Sequence, residues 1–491
     1  MRPKSEPKHP QRELFQSELE QTIDLHHPLA RLGMSIDWAS FEEALGAAYH
    51  PTHGAPGIST RLMVALHYLK YQLDPSDEAV VAHWMENPYW QHFGGMKYFQ
   101  HRMPLDASSM TRWRGRLGET GAEQMLRETI AAGIKTGAIR AADLKRINVD
   151  TSVQTKSGVP GDRSSSLGWK SGVPGDRSSS LGWKSGVPGD RSSSLGWKAI
   201  RYPTDARLYH RCRERLVKAA RREGLTIEQS YRHVGKRLLP GSSRYAHARQ
   251  MKRARACTRR LRTQLGRVTR EIERQVTNPS EKLAKLLETA HRIYTQQRHD
   301  KDKIYSVHEP EVECIAKGKA GKQYEFGNKV SVAVTSRGGW FVGAKSLTGN
   351  PYDGHTLHAQ LQQVDNLIGN KVSEAHVDMG YRGHGYIGPV TVHIDKRRRG
   401  RTSRCLWRWM KRRAAVEPSI GHRKNEHRLE PNRLKGAAGG AIDAILSAAA
   451  MNFHKLLGAL WRFFLCCVLK VYGGLQTISA FEACSNEILH A

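Results

Sequence analysis

The sequence predicts an α/β protein. Its mixed sheet is interrupted by a basic helical insertion and preceded by an all-helical N-terminal segment. Three observations carry this: short apolar, β-branched runs recur after residue 144 and after residue 320; a run with helical periodicity and dense positive charge separates them; and before residue 140 the apolar residues fall only at helical spacing. At 491 residues the chain has room for about three domains. The expected divisions are 1–140 (helical), 141–156 (first part of the core), 157–198 (a repeated loop), 199–310 (basic helical insertion), 311–475 (remainder of the core) and 476–491 (tail).

In the first segment Ser59 or Thr60 is placed to cap a helix bearing Leu62, Ala65, Leu66 and Leu69, and Asp77 opens a second. A third begins at LDASSMTRWRGRLG, with Asp106 or Ser108 as cap and Arg112, Arg114 and Arg116 crowded into a short basic stretch. Small helices ending in a basic one suit a helix-turn-helix-like reader of DNA. An ordinary helical domain with a solvated basic face fits the same pattern.

The run LKRINVDTSVQ predicts a strand with Asp150 at its end. The segment SGVPGDRSSSLGWK then occurs three times without change, at 157–170, 171–184 and 185–198. A 14-residue period rich in Gly, Ser and Pro is loop-like, and identity of the copies points to a recent duplication. Stacking of nucleic-acid bases on Trp169, Trp183 and Trp197 is the functional alternative. Residues 201–300 carry 26 Lys and Arg against 9 Asp and Glu. There Leu261, Leu265, Val268, Ile272 and Val276 form one stripe of a long helix, Asn278-Pro279-Ser280 ends it, and EKLAKLLETAHRIY completes a helical hairpin whose outer face either tracks phosphates or is merely solvated. Strands return at KVSVAVTS, WFVGAKSLTG, EAHVDMG and VTVHIDK, with the helix HTLHAQLQQVDNLI among them, before helices near 405–417 and 441–470.

Charge narrows the function. With 78 Lys and Arg against 46 Asp and Glu, the net charge of +32 calls for a polyanionic partner, nucleic acid first. Seven scattered cysteines without a CxxC pair argue against a zinc site or a disulfide framework. The opening MRPKSEPKHPQRELF has no apolar core of a secretory signal, and LLGALWRFFLCCVLKVYGG is cut by Arg462 and Lys470, so the expectation is a cytoplasmic, nucleoid-associated protein outside the membrane. In so basic a chain, carboxylates at strand ends are where a hard divalent cation would sit to cut a phosphodiester. Asp150 and Asp378 hold such positions. At 100° per residue Arg413, Glu417 and Lys424 fall within about 40° on one helix face, unless Pro418 kinks or starts the helix there.

The spacing Arg413, Glu417, Lys424 resembles the Tyr-Arg-Glu-Lys signature of bacterial insertion-sequence DDE transposases, with Met410 where the family has Tyr. VDTSVQ around Asp150, GNPYDGHTL at 349–357 and VDMGYRGHGY around Asp378 extend the resemblance over nearly the whole chain. It implies a ribonuclease H-like core in which the strands of Asp150 and Asp378 lie side by side. There Asp150, Asp378 and Glu417 are the catalytic residues and hold two Mg²⁺ ions, with Mn²⁺ able to substitute. It further implies that Lys424 and Arg413 hold DNA phosphates, that Tyr381 and Arg382, just after the second Asp, contact DNA beside the site, and that His355 lies near it, His355 being equally readable as a structural histidine. An all-helical N-terminal DNA-binding domain would add Arg112, Arg114 and Arg116. The partners are double-stranded DNA and a second copy in a synaptic homodimer. The alternative is an impaired remnant, in which the 157–198 insertion leaves only DNA binding.

Overall fold

The computed structural model describes residues 17–46, 57–103, 105–157, 200, 202–317, 323–369, 371–395 and 403–472, side chains being described only to 462. The triplicated segment beyond residue 157, with its three tryptophans, and the 476–491 tail lie outside the described residues. The chain forms two compact units, one of residues 1–154 with 328–491 and one of 155–327.

The first unit opens with α1 (Leu19–Thr22), α2 (Pro28–Ser35), α3 (Trp38–Gly46), α4 (Thr60–Leu73), α5 (Asp77–Glu86), α6 (Pro88–Phe93) and α7 (Ala107–Lys135). α5 opens at Asp77, as the sequence suggested, and Ser76 caps it, its Oγ accepting from the Ala79 amide at 3.1 Å. Asp106 caps α7 by accepting from Ser108 N at 2.8 Å. The expected short basic helix is instead the first third of a 29-residue helix, which bends at Gly118, where φ is 64°. A glycine is needed at that positive φ.

The sheet comprises β1 (Arg146–Thr155), β3 (Tyr324–Thr335), β4 (Phe341–Leu347), β5 (Glu374–Val377) and β6 (Thr391–Ile394), joined at the edge of β3 by β2 (Glu313–Ala316). β1 lies between β3 and β5. The β1–β5 and β5–β6 pairs are parallel, and β3–β4 is antiparallel, which makes the sheet mixed. Helix α12 (Asp353–Ile368) links β4 to β5, and the chain closes through α13 (Arg404–Arg412), α14 (Val416–Glu426) and α15 (Gly436–Tyr472).

Helices α2–α7 and the sheet share one apolar core instead of building two. Helix α15 is its spine: Ala444, Ala448 and Phe453 are inaccessible, and Phe453 stacks on Tyr68 of α4 with ring centroids 5.1 Å apart. At the start of the apolar stretch Leu456 and Leu460 are buried while Trp461 is exposed, and the remainder of the stretch lies outside the described side chains. Among the described residues no helix is long and apolar enough to cross a membrane.

The second unit contains α8 (Asp205–Arg222), α9 (Arg232–His247), α10 (Met251–Gln275) and α11 (Glu281–Thr295). The predicted stripe is buried at Leu261, Leu265, Val268 and Ile272, while Val276 has left the helix as its C-cap. The hairpin of α10 and α11 is only half of the assembly, because α8 lays Leu208, Cys212 and Leu216 into the same core.

Candidate active site

Two adjacent strands bring the first carboxylates together. The parallel register of β1 on β5 sets Arg146 opposite Glu374, Ile147 opposite Ala375 and Asn148 opposite His376. Two residues further on, the strands reach Asp150 and Asp378. Asp150 is not at a strand end as expected: β1 continues five residues beyond it, whereas Asp378 directly follows β5. After Asp150 the β-branched Thr151, Val153 and Thr155 favour extended backbone and Ser152–Thr155 are buried, which prolongs the strand.

Each carboxylate is held by the backbone just beyond it. Asp150 Oδ1 accepts from Thr151 N at 2.8 Å, and Asp378 Oδ1 accepts from Gly380 N at 2.9 Å. Burial dominates the proton affinity of Asp150 and, with the nearby charges of Asp378 and Glu417, outweighs the Thr151 amide and Arg413, so its pKa rises to about 6. Asp378 is also raised, by burial and by Asp353 and Asp395, against the pull of Arg413 and the Gly380 amide.

Two further acids complete the cluster, and both were missed as site residues in the sequence. Asp353, inside the quoted GNPYDGHTL, starts α12; its Oδ1 accepts from Thr151 Oγ at 2.8 Å and from Lys329 Nζ at 2.6 Å. A Cβ on Gly380 would stand 3.0 Å from Asp378 Oδ1 and 3.2 Å from Asp353 Oδ2, so the glycine keeps open a space walled by two carboxylates. Asp395, immediately after β6, carried the same acid-after-a-strand signal as Asp378.

Arg413 bridges this cluster, with Nη1 at 3.4 Å from Asp150 Oδ2 and Nε at 3.4 Å from Asp395 Oδ2. The expected single helix face for Arg413, Glu417 and Lys424 is not formed. α13 ends at Arg412, Arg413–Ala415 is a 3₁₀ turn, and α14 begins at Val416 with Pro418 in its first turn. Proline has no N–H for the i→i−4 ladder but suits a helix start, so the chain tightens before it and begins again. Glu417 is exposed in that first turn, within electrostatic reach of Asp150. Lys424 is tied to Glu430 at 2.9 Å. Its neighbour Arg423 is the buried cation, donating to Ala444 O at 2.6 Å and lying 4.6 Å from the Phe341 ring.

The remaining candidates divide. Arg382 and His355 are exposed beside the cluster, His355 in ring contact with Tyr352 at 5.5 Å. Tyr381 is fully buried and packs in the core, which corrects its expected contact with DNA. Arg112 and Arg116 are exposed on α7. Arg114 is buried and donates to both oxygens of Asp77, at 2.9 and 2.6 Å, so it braces α7 against α5, and its remaining Nε–H is buried out of reach of a phosphate. Three arginines in five residues span more than half the helix circumference, and one of them had to face inward.

The chemistry of the donor set fits a hard divalent cation. Anionic oxygens are concentrated around the Gly380 space, and burial first, then neighbouring carboxylates, raise the proton affinity of Asp150 and Asp378. As the side chains stand, no three His, Cys, Asp or Glu among the described residues are gathered into a metal-binding group.

Residues 17–116 match a family model described as Transposase domain (DUF772), and residues 371–457 match one described as Transposase DDE domain. A protein of Rhizobium meliloti described as "Uncharacterized protein ORF8 in nfe locus" is 40% identical over 250 residues, covering 51% of this chain and 100% of that protein. No solved structure matches the chain.

Proposed function

Because the chain belongs to the DDE transposases of insertion sequences, we propose that it binds the terminal inverted repeats of its element, cleaves DNA strands there and transfers the ends to a target, on a ribonuclease H-like core. The observation that carries this reading is the convergence of Asp150 and Asp378 from neighbouring parallel strands, both with raised proton affinity, with Arg413 over them.

Asp150, Asp378 and Glu417 are the residues to hold the divalent metal of this family, taken here as two Mg²⁺ or Mn²⁺ ions. When bound, the metal lowers the pKa of the attacking hydroxyl and stabilises the leaving oxygen. The chain's own work is positioning. Parallel pairing fixes the first two carboxylates on one sheet, and the Thr151 and Gly380 amides orient them. Arg413 supplies the counter-charge while DNA is absent, and its planar fork suits a phosphate of the transposon end once it leaves Asp150. Exposed Arg382 adds a second fork after Asp378, and Lys424 adds a point charge on α14 once it leaves Glu430. In the first step water attacks phosphorus and the P–O3′ bond breaks; in the second the freed 3′-hydroxyl attacks a target phosphorus and displaces another 3′ oxygen. One site serves both, with no covalent protein–DNA intermediate.

We assign the reading of the ends to the helical segment within residues 1–140, with Arg112 and Arg116 facing outward, and the pairing of ends to a homodimer in the cytoplasm. The test uses the full chain and a duplex carrying the terminal repeats found by sequencing the DNA around the gene. Glu417→Gln is expected to abolish end cleavage and leave DNA binding nearly intact; cleavage retained by this variant overturns the assignment.

A further inference from the structure

We propose that a cavity in the basic helical unit, between the C-terminal half of α8 and the start of α9, is a seat for a backbone phosphate of DNA. The inference rests on DNA being the substrate, and goes beyond it by assigning a contact outside the carboxylate site.

The cavity measures about 430 Å³ and is lined by five cations, Arg213, Lys218, Arg221, Arg222 and Arg232, with Ser230. Its one acidic lining residue, Glu214, is engaged with His210 at 3.3 Å. Lys218, Arg221, Arg222 and Arg232 are exposed, and none of them makes an ion pair or side-chain hydrogen bond among the described residues. A charged cluster of this kind is usually relieved by interspersed acids, and here a single carboxylate, Glu214, faces five cations.

Two independent features turn the cluster into a site. Helix α9, 16 residues long, starts at this wall without a side-chain cap: Tyr231 occupies the N-cap position at φ 51°, and the first intrahelical bond is Gly235 N to Tyr231 O at 2.9 Å. The amides of residues 232–234 therefore end the helix with unsatisfied donors and a positive dipole end, the standing requirement for an anion seat. The second feature is Arg213, only 1% exposed. Its guanidinium donates to Ser230 O and lies 3.1 Å from His210 Nδ1, the Glu214 charge reaches it only through space without an ion pair, and its buried Nε has no hydrogen-bond partner. A Cβ on Gly235 would stand 2.8 Å from Arg213 Nη2, so glycine there lets the open helix end close on this arginine. A phosphodiester in the cavity meets the uncapped amides and the exposed rim directly, and the buried charge of Arg213 behind them adds to the positive field. Because neither Arg213 nor a helix end reads bases, the contact is independent of sequence.

The experiment measures binding of the full chain to a fluorescently labelled duplex of arbitrary sequence, by anisotropy, between about 50 and 200 mM salt. Removing the rim in the Arg221→Ala, Arg222→Ala, Arg232→Ala triple is expected to lower the slope of log affinity against log salt by about 1 to 2, the contribution of one or two phosphates. The control triple Arg255→Ala, Arg259→Ala, Arg260→Ala removes the same charge from exposed positions of α10 and is expected to change the slope by less than half as much. An equal drop in both triples overturns the proposal, since a diffuse field has no preferred position; so does an unchanged slope. Ser230→Asp provides a variant with the rim intact, its carboxylate filling the seat at the helix end; it is expected to reproduce the lost slope, and wild-type binding by it also refutes the site. Inorganic phosphate that binds the wild type, combined with unchanged duplex binding by the rim triple, assigns the cavity to a free anion and overturns the DNA contact. The two readings fail separately, because the catalytic one is judged by cleavage in Glu417→Gln and this one by the salt slope.

Discussion

Replacing Asp150 by Asn is expected to make the protein more stable while removing its chemistry. Burial, with the charges of Asp378 and Glu417, raises the Asp150 pKa from 3.8 to about 6, and its side chain is only 14% exposed, so solvent screening does little to discount the effect. The sign follows from linkage. Between those two values the folded state binds a proton that the unfolded chain has released, so stability falls as pH rises through the window and stays low above it. A change of that size corresponds to about 3 kcal/mol, and Asn escapes the penalty. Part of the gain is lost with the Arg413 contact, which at 3.4 Å is long and is backed by Asp395. The net expectation at pH 7.5 is a gain of about 1 to 3 kcal/mol, or roughly 2–4 °C in melting temperature per kcal/mol. Thermal melts of both proteins from pH 7.5 down to pH 4 measure it. The gap should narrow through pH 6 and nearly close near pH 4, where wild-type Asp150 is protonated as well. Using the difference between the two proteins cancels the other raised acids, such as Glu311 at about 7. A variant less stable than wild type at pH 7.5, or a gap independent of pH, would refute the account of the strained carboxylate pair.

Asp77→Ala leaves Lys70 and Arg114 as buried cations without their shared carboxylate, and is expected to cost about 3–5 kcal/mol in denaturant unfolding. Gly343→Ala puts a methyl against Gln360 Nε2 and, at 2.9 Å, Val364 Cγ2 where β4 meets α12; a loss of about 1–3 kcal/mol in the same assay is the expected outcome. Tyr71 Oη and Gln154 Nε2 donate to opposite oxygens of buried Asp443, at 2.8 and 2.9 Å, so a double-mutant cycle of Tyr71→Phe with Gln154→Met should show a coupling of about 0.5–3 kcal/mol. Additive losses would mean that the shared carboxylate does not tie α4 to β1.

The sheet was legible because its strands differ in period from everything around them. INV before Asp150 and EAHV before Asp378 are short runs ending in valine and closed by an acid, and the structure pairs these two strands directly. Asp395 carried the same signal after VHI and was passed over; Asp353 lay inside a motif whose histidine drew the attention. Strand β2 was missed because it has four residues and no alternation. The break at Arg413–Ala415 turned on one proline, whose two possible effects, kinking a helix or starting one, are equal at the level of pattern. Burial of Arg114 was illegible for a different reason: which side of a basic helix turns inward depends on a carboxylate 37 residues earlier in the chain.

Arg114 and Arg413 are a controlled comparison of what an arginine does beside an aspartate. Both were candidates for DNA, both are mostly buried and both face Asp. Arg114 meets Asp77 as a two-pronged fork at 2.6 and 2.9 Å, with Lys70 added. Although burial alone would raise it, the Asp77 carboxyl is held well below its ordinary range. Arg413 divides itself between Asp150 and Asp395 at 3.4 Å each, and Asp150 is left with its pKa raised to about 6. The first arrangement neutralises its charges out of solvent, and the one spare donor, Arg114 Nε, is buried. The second leaves several carboxylates sharing one guanidinium, so a cation entering beside them gains what the fold withholds, and the displaced guanidinium is free to take a phosphate. Incomplete neutralisation, more than the presence of acids or arginines, is what separates the site from the scaffold in this chain.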